Sequence, residues 1–284
     1  MSKKSSEKTN SLQENESRSA EKQNNNDELQ LSPNNNISTH QTSSFPIVGI
    51  GASAGGLAAF EAFFSGMPAD SEPGMAFVLV QHLAPDHKSM LKDLIKRYTR
   101  MQVFEVEDGM SVRPNCAYII PPGHDMSFLQ GSLKLHKPAA PRGHRLPIDF
   151  FFRSLAKDQG ERAIAVVLSG TGSDGALGIR VIKGEGGMIM VQSPDSTEFD
   201  GMPRSAISTG LVDFVIPPSE MADTLISYSA HAFGKVSAEK KSTEKGRENS
   251  LMTIFELLRE HRGHDFSYYK PSTVIRRIER RMAL

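Results

Sequence analysis

Seven short strand-like runs, several of them continuously apolar, alternate with segments of helical spacing across residues 45–233, and this alternation most constrains the fold. The runs fall at 46–50, 76–81, 102–106, 117–120, 163–168, 188–191 and 213–216. Their length and lack of polar alternation predict strands buried on both faces. Helices are expected between them at 55–66, 88–99, 148–158, 175–185, 203–209 and 218–233. Residues 128–133 predict a hairpin with Gly131 in its turn. Strands alternating with helices predict an α/β fold, here a three-layer, doubly wound, mostly parallel sheet.

The flanks differ in character. Residues 1–44 are rich in Ser, Asn, Gln, Glu and Lys and nearly devoid of apolar side chains. Such a segment buries too little surface to offset chain entropy and is expected to be a disordered tail. Residues 234–249 are polar and low in complexity and are expected to form a linker. From 250 to 284 a short helical segment is expected, Ser250 capping one helix and Ser272 a second that carries Arg276, Arg277, Arg280 and Arg281. A helical pair of this size makes no core of its own, so it is expected to begin a second domain.

The first strand runs into Gly51-Ala-Ser-Ala-Gly55, a G-x-S-x-G elbow that would expose the Ser53 hydroxyl and aim helix N–H groups at whatever reacts there. Gly49-x-Gly51-x-x-Ala54 equally fits the G-x-G-x-x-A loop of dinucleotide binders. The loop alone leaves both readings open. A parallel sheet puts its chemistry at the C-terminal ends of its strands. The second strand delivers His82, and the strand at 163–168 delivers Gly170-Thr-Gly-Ser-Asp-Gly175 with Asp174 at a helix start. Hydroxyl, imidazole and carboxylate at one sheet edge are the set that base-activated nucleophilic catalysis needs. A dinucleotide site wants an acidic side chain at the end of the second strand, where this chain has Gln81 and His82. His82 and His87 lack the spacing and companions of a metal pair, so no metal is expected. The order Ser, His, Asp also departs from the Ser, Asp, His order of α/β-hydrolases.

Residues 45–233 resemble the catalytic domain of the chemotaxis protein-glutamate methylesterases. The likeness rests on Gly49-Ile-Gly-Ala-Ser-Ala-Gly-Gly56, Gln81-His-Leu-Ala-Pro85, Glu107-Asp-Gly109, Ala117-Tyr-Ile-Ile-Pro-Pro-Gly123, Gly170-Thr-Gly-Ser-Asp-Gly175 and Gly201-Met-Pro-Arg204. It implies a Ser53, His82 and Asp174 triad, hydrolysis of glutamate γ-methyl esters on the cytoplasmic domain of methyl-accepting chemoreceptors, and allows deamidation of particular glutamines. It implies the backbone N–H groups of Ala54 and Thr171 as oxyanion donors, with Met202 and Pro203 at the substrate edge. Ala54 stands where many relatives have Thr, and Ser173 where many have Asn. The phospho-acceptor receiver of regulated members is not expected within residues 1–44, which are too short and too polar. A non-catalytic receptor-binding adaptor is the alternative reading.

Residues 254–284 resemble the N-terminal helices of chemoreceptor glutamate methyltransferases, through Gly263-His-Asp-Phe-Ser-Tyr-Tyr-Lys270 and Thr273-Val-Ile-Arg-Arg-Ile-Glu-Arg-Arg-Met282. The resemblance implies that Arg276, Arg277, Arg280 and Arg281 face an acidic receptor. It places S-adenosylmethionine in a domain this chain lacks, so no cofactor is expected here, and it makes the chain a truncated methylesterase–methyltransferase fusion. Lys and Arg balance Asp and Glu at 33 each, which argues against a nucleic-acid partner. The single cysteine, Cys116, allows no internal disulfide and suits a reducing compartment. With no transmembrane-length apolar run and no signal peptide, a cytoplasmic protein without membrane insertion is expected.

Overall fold

The computed structural model describes residues 44–68, 70–81, 91–138, 145–233, 244–263, 266–267 and 271–282, all within one compact unit spanning His40–Leu284. Most of the expected tail, part of the expected linker, and His82 lie outside the described residues.

The centre is a seven-stranded sheet in which every pairing is parallel. Its strands are β1 (Ile47–Ala52), β2 (Ala76–Gln81), β3 (Gln102–Glu105), β5 (Cys116–Ile119), β8 (Ala163–Val167), β9 (Met188–Gln192) and β10 (Phe214–Ile216). They lie in the order β10-β9-β8-β1-β2-β5-β3. Three short strands, β4 (Met110–Ser111), β6 (Asp125–Leu129) and β7 (Ser132–His136), form a separate antiparallel sheet. Gln130 and Gly131, with φ of 51° and 75°, make the two-residue turn of the β6–β7 hairpin. Both being left-handed, they match the twist of the strands they join.

Helices cover both faces of the large sheet. α1 (Gly56–Ser65), α2 (Leu91–Ile95) and α6 (Pro218–Phe233) bury Phe60, Phe63, Phe64, Ile95, Met221 and Leu225 against one face. α3 (Pro147–Gln159), α4 (Ala176–Gly184) and α5 (Gly201–Ile207) bury Phe151, Phe152, Leu155, Ile179, Ile182 and Met202 against the other. Alternation along β1 serves both layers, with Ile47 on the α3 side and Val48 and Ile50 on the α1 side. Gly49 and Gly51 also face α3, and a Cβ on Gly51 would sit 2.4 Å from Ile148 Cγ2. Those glycines let α3 settle directly onto the strand that ends at Ser53.

β1 pairs with β2 on one side and β8 on the other, with Ile47 opposite both Ala76 and Ala163. The chain leaves β1 outward through α1 and returns across the sheet through α3. The C-terminal ends of β1 and β8 therefore flank the topological switch point, where open α/β sheets hold ligands.

Several expected boundaries shift. α2 spans Leu91–Ile95 and ends short of the predicted 99, while its predicted start at 88 lies outside the described residues. Residues 244–249 of the predicted linker and the Ser250 cap fall instead within α7 (Glu244–Arg262), which is already helical six residues before Ser250. Its first turns carry Glu, Lys and Arg, which favour helix as well as they favour solvent. Ser272 lies in the first turn of α8 (Pro271–Met282), where Pro271 takes the opening position that tolerates a missing N–H.

Candidate active site

β1 ends in an elbow that carries Ser53 to the C-terminal edge of the sheet. Ser53 N–H donates to Ser169 O at 2.9 Å, and Gly56 N–H donates back to Ser53 O at 2.9 Å. Gly55 turns the chain with φ of 72°. A Cβ there would meet Ser169 Oγ at 2.6 Å and Phe199 Cδ2 at 2.9 Å, so the position needs glycine on both counts. The half-buried Ser53 thus stands at the head of α1, on the turn its sequence pattern predicts.

The loop after β8 is strapped to this elbow. Ser169 Oγ donates to Ala54 O at 2.8 Å and meets Thr197 Oγ1 at 2.8 Å. Ser169 N–H donates to Gln192 Oε1 at 2.8 Å, which ties the end of β8 to the end of β9. Gly170 N–H donates to Phe199 O at 2.9 Å, while Gly170 O accepts from Met202 N–H at 2.8 Å. A Cβ on Gly170 would lie 3.0 Å from Ser53 Cβ and 2.1 Å from Met202 Sδ. The serine, the glycine and the thioether therefore converge with no space left over. Among the described residues, no hydrogen bond engages the N–H of Ala54 or of Thr171.

Asp174 follows five residues after Ser169 and is 4% exposed. Its Oδ2 accepts Ile148 N–H at 3.0 Å, and its Oδ1 accepts Asp149 N–H and Gly175 N–H at 2.9 Å each. Asp174 thus caps α3, whose own preceding residue Leu146 supplies no side-chain cap. A carboxylate at the amino end of a helix is favoured by both the free N–H groups and the helix dipole.

A second carboxyl lies beside it. Asp149, in the first turn of α3, is 1% exposed, and its Oδ1 accepts Gly178 N–H of α4 at 2.5 Å. Burial raises its pKa, and the Asp174 charge adds to the rise, while the Gly178 N–H and Arg153 oppose it. The sequence reading did not single out Asp149. The available signal was a lone acid on the face that otherwise carries Ile148, Phe151, Phe152 and Leu155. Ser169 and Gln192, which brace the elbow, were also missed; each is a polar residue at or just beyond the end of an apolar strand.

Ser53 and Asp174 therefore come from adjacent strand ends, as expected, and β2 delivers Gln81 to the same edge. His82 follows Gln81 outside the described residues. Met202 and Pro203 are buried, so they pack beneath the edge rather than line it. Phe199 at 40% exposed presents an apolar side chain there instead. Beside Gly55, a cavity of about 510 Å³ runs past Ala58, Ser169, Thr197 and Glu198 to Asp195. Its two carboxylates make poor company for a pyrophosphate, which weighs against the dinucleotide reading.

The arginines of α8 turn elsewhere. Arg281 Nη1 lies 3.2 Å from Asp213 Oδ1, and Arg277 Nε lies 3.9 Å from Glu161 Oε1. Both carboxylates precede strands, Asp213 before β10 and Glu161 before β8, so they belong to the edge opposite Ser53. Arg277 and Arg281, expected to face a receptor, pair within the chain here while their own side chains stay 71% and 66% exposed. The side chains of Arg276 and Arg280 lie outside the described residues. Among the described residues, no helix is long and apolar enough to cross a membrane.

Comparison with known proteins agrees with this geometry. Residues 48–225 match the CheB methylesterase family, and residues 249–284 match the CheR methyltransferase all-alpha domain. An uncharacterized 104.1 kDa protein of Rhodobacter capsulatus is 37% identical over 217 residues, covering 68% of this chain and 22% of that protein. Protein-glutamate methylesterase/protein-glutamine glutaminase 2 of Pseudomonas aeruginosa is 34% identical over 188 residues, covering 65% of this chain and 53% of the relative. This chain thus spans about half the length of the curated methylesterases it matches. The crystal structure of the Thermotoga maritima CheB methylesterase catalytic domain superposes with a TM-score of 0.59 at 28% identity, covering 64% of this chain and 97% of that one.

Proposed function

The chain belongs to the CheB methylesterase family, and we propose that it hydrolyses glutamate γ-methyl esters on the cytoplasmic helices of chemoreceptors, with Ser53, His82 and Asp174 as its triad. The observation that carries this reading is the elbow. A serine hydroxyl stands at a helix start on the switch-point edge, braced by Gly170 and Met202, and the neighbouring strand end supplies a buried, hydrogen-bonded carboxylate.

Ser53 Oγ attacks the ester carbonyl while His82 takes its proton, and Asp174 orients the imidazole and stabilises the imidazolium. The N–H groups of Ala54 and Thr171 receive the oxyanion as the tetrahedral intermediate forms. His82 returns the proton to the departing methoxide, which leaves as methanol. Water, deprotonated by the same histidine, then cleaves the acyl-enzyme to free the glutamate side chain and restore Ser53. Glutamine in place of the ester would release ammonia by the same steps. Residues 45–233 would be the catalytic module and 250–284 the opening helices of a methyltransferase module, both acting in the cytoplasm.

The test is incubation of this chain with a methylated chemoreceptor cytoplasmic fragment, following methanol together with ester loss. Equal amounts of methanol and new glutamate are expected. Binding of the fragment with no ester loss would replace the esterase with a receptor-binding adaptor.

A further inference from the structure

We propose that Asp149 is a positioning residue for the catalytic carboxylate, clamping the start of α4 to the start of α3 so that Asp174 stays seated on its amide cradle. The inference rests on the esterase reading for the role of Asp174, and on geometry for the clamp.

Two helices meet here head to head. Asp174, just ahead of α4, receives Ile148 and Asp149 N–H of α3. Asp149, in α3, receives Gly178 N–H of α4. The approach is as close as backbone permits. A Cβ on Gly178 would lie 2.6 Å from Phe152 Cβ and 3.2 Å from Asp149 Cα. Loosening either bond frees the other helix start, and with it the orientation of Asp174.

Asp149 is also a costly residue for packing alone. Its Oδ2 is buried with no hydrogen-bond partner, and an unsatisfied buried polar atom is normally removed unless it serves a purpose. Burial and the neighbouring Asp174 favour its protonated form, with Arg153 the cation opposing this from the same helix. Holding a proton longer than an ordinary carboxyl, Asp149 keeps its acceptor toward Gly178 while adding less like charge beside Asp174.

Three variants of the full chain test this. Asp149→Asn keeps an acceptor oxygen and is neutral. Asp149→Ala and Asp149→Leu accept nothing, and Leu fills the site should the alanine variant fail to fold. Amide hydrogen exchange at Ile148 reads the seat of Asp174 without any turnover, and methanol release reads kcat and KM separately. Asp149→Leu or Asp149→Ala should speed Ile148 exchange and lower kcat, each by about tenfold or more, with little change in KM. Asp149→Asn should stay within about threefold of wild type in both readouts. A lower melting temperature with Ile148 exchange and kcat unchanged would make Asp149 a packing residue only and overturn the proposal. Losses in Asp149→Asn as large as in Asp149→Leu would overturn it too, since charge rather than the clamp would then matter. A wild-type chain that releases no methanol would remove the esterase reading, while Ile148 exchange would still decide the clamp.

Discussion

Asp149 and Asp174 cap each other's helices: Asp174 receives the first N–H groups of α3, and Asp149, from within α3, receives Gly178 N–H of α4. The exchange joins the two helices on either side of β8 at the edge where Ser53 emerges. Substitutions at this edge should therefore affect stability and turnover by separable amounts.

Asp174→Asn replaces one acceptor oxygen with a donor facing a backbone N–H, while leaving the shape intact. An unsatisfied buried donor costs roughly 1–3 kcal/mol, and the lost carboxylate should lower kcat by about 10⁴. Denaturant unfolding and methanol release measure the two. A variant with full kcat would remove Asp174 from the triad.

Gly55→Ala combines a left-handed φ of 72° with a Cβ only 2.6 Å from Ser169 Oγ. The strain should cost roughly 1–3 kcal/mol and should break the Ser169–Ala54 bond that braces the elbow. Turnover should fall further than stability, since the Ser53 hydroxyl is displaced. Thermal unfolding beside kcat shows whether that order holds.

The raised Asp149 pKa gives a pH signature of stability. A carboxyl whose folded pKa exceeds its unfolded value contributes stability below the ordinary value of about 3.9 that is lost as pH rises through the folded value. Asp149→Asn cannot ionise and escapes this loss. Its melting temperature minus that of wild type should therefore grow as pH rises from the acid range, then level off. A difference that is flat with pH would contradict the assigned direction.

Asp213 pairs with two cations of unequal burial. Its side chain is 6% exposed, with Lys183 at 17% and Arg281 at 66%. Arg281→Ala should cost under about 1 kcal/mol, as exposed pairs do. Lys183→Ala should cost more, roughly 1–3 kcal/mol, because the Asp213 carboxylate is left without its less exposed partner. Urea titration of both variants measures the gap, and added salt should shrink only the Arg281 effect appreciably.

The chain's alternation of apolar runs made the parallel sheet legible, and strand ends made Ser53 and Asp174 stand out. What stayed hidden depends on contacts between distant segments. Nothing local says that Gly49 and Gly51 face α3, or that Gly178 is glycine because Phe152 and Asp149 press on it. Asp149 reads as an ordinary first-turn acid until α4 arrives opposite it. Met202 sits in a segment that carries the family resemblance, yet its burial under Gly170 follows only from packing. The start of α7 was misplaced because charged helix formers also compose linkers. The pairing of Arg277 and Arg281 needed Glu161 and Asp213, more than sixty residues away in sequence.

The central claim is that Ser53 is the nucleophile of an esterase, and the most direct measurement is methanol release from a methylated chemoreceptor fragment by wild type beside Ser53→Ala. The account predicts release by wild type and a fall of at least about 10⁴-fold in the variant with unchanged unfolding temperature. Equal release by the two proteins would contradict it.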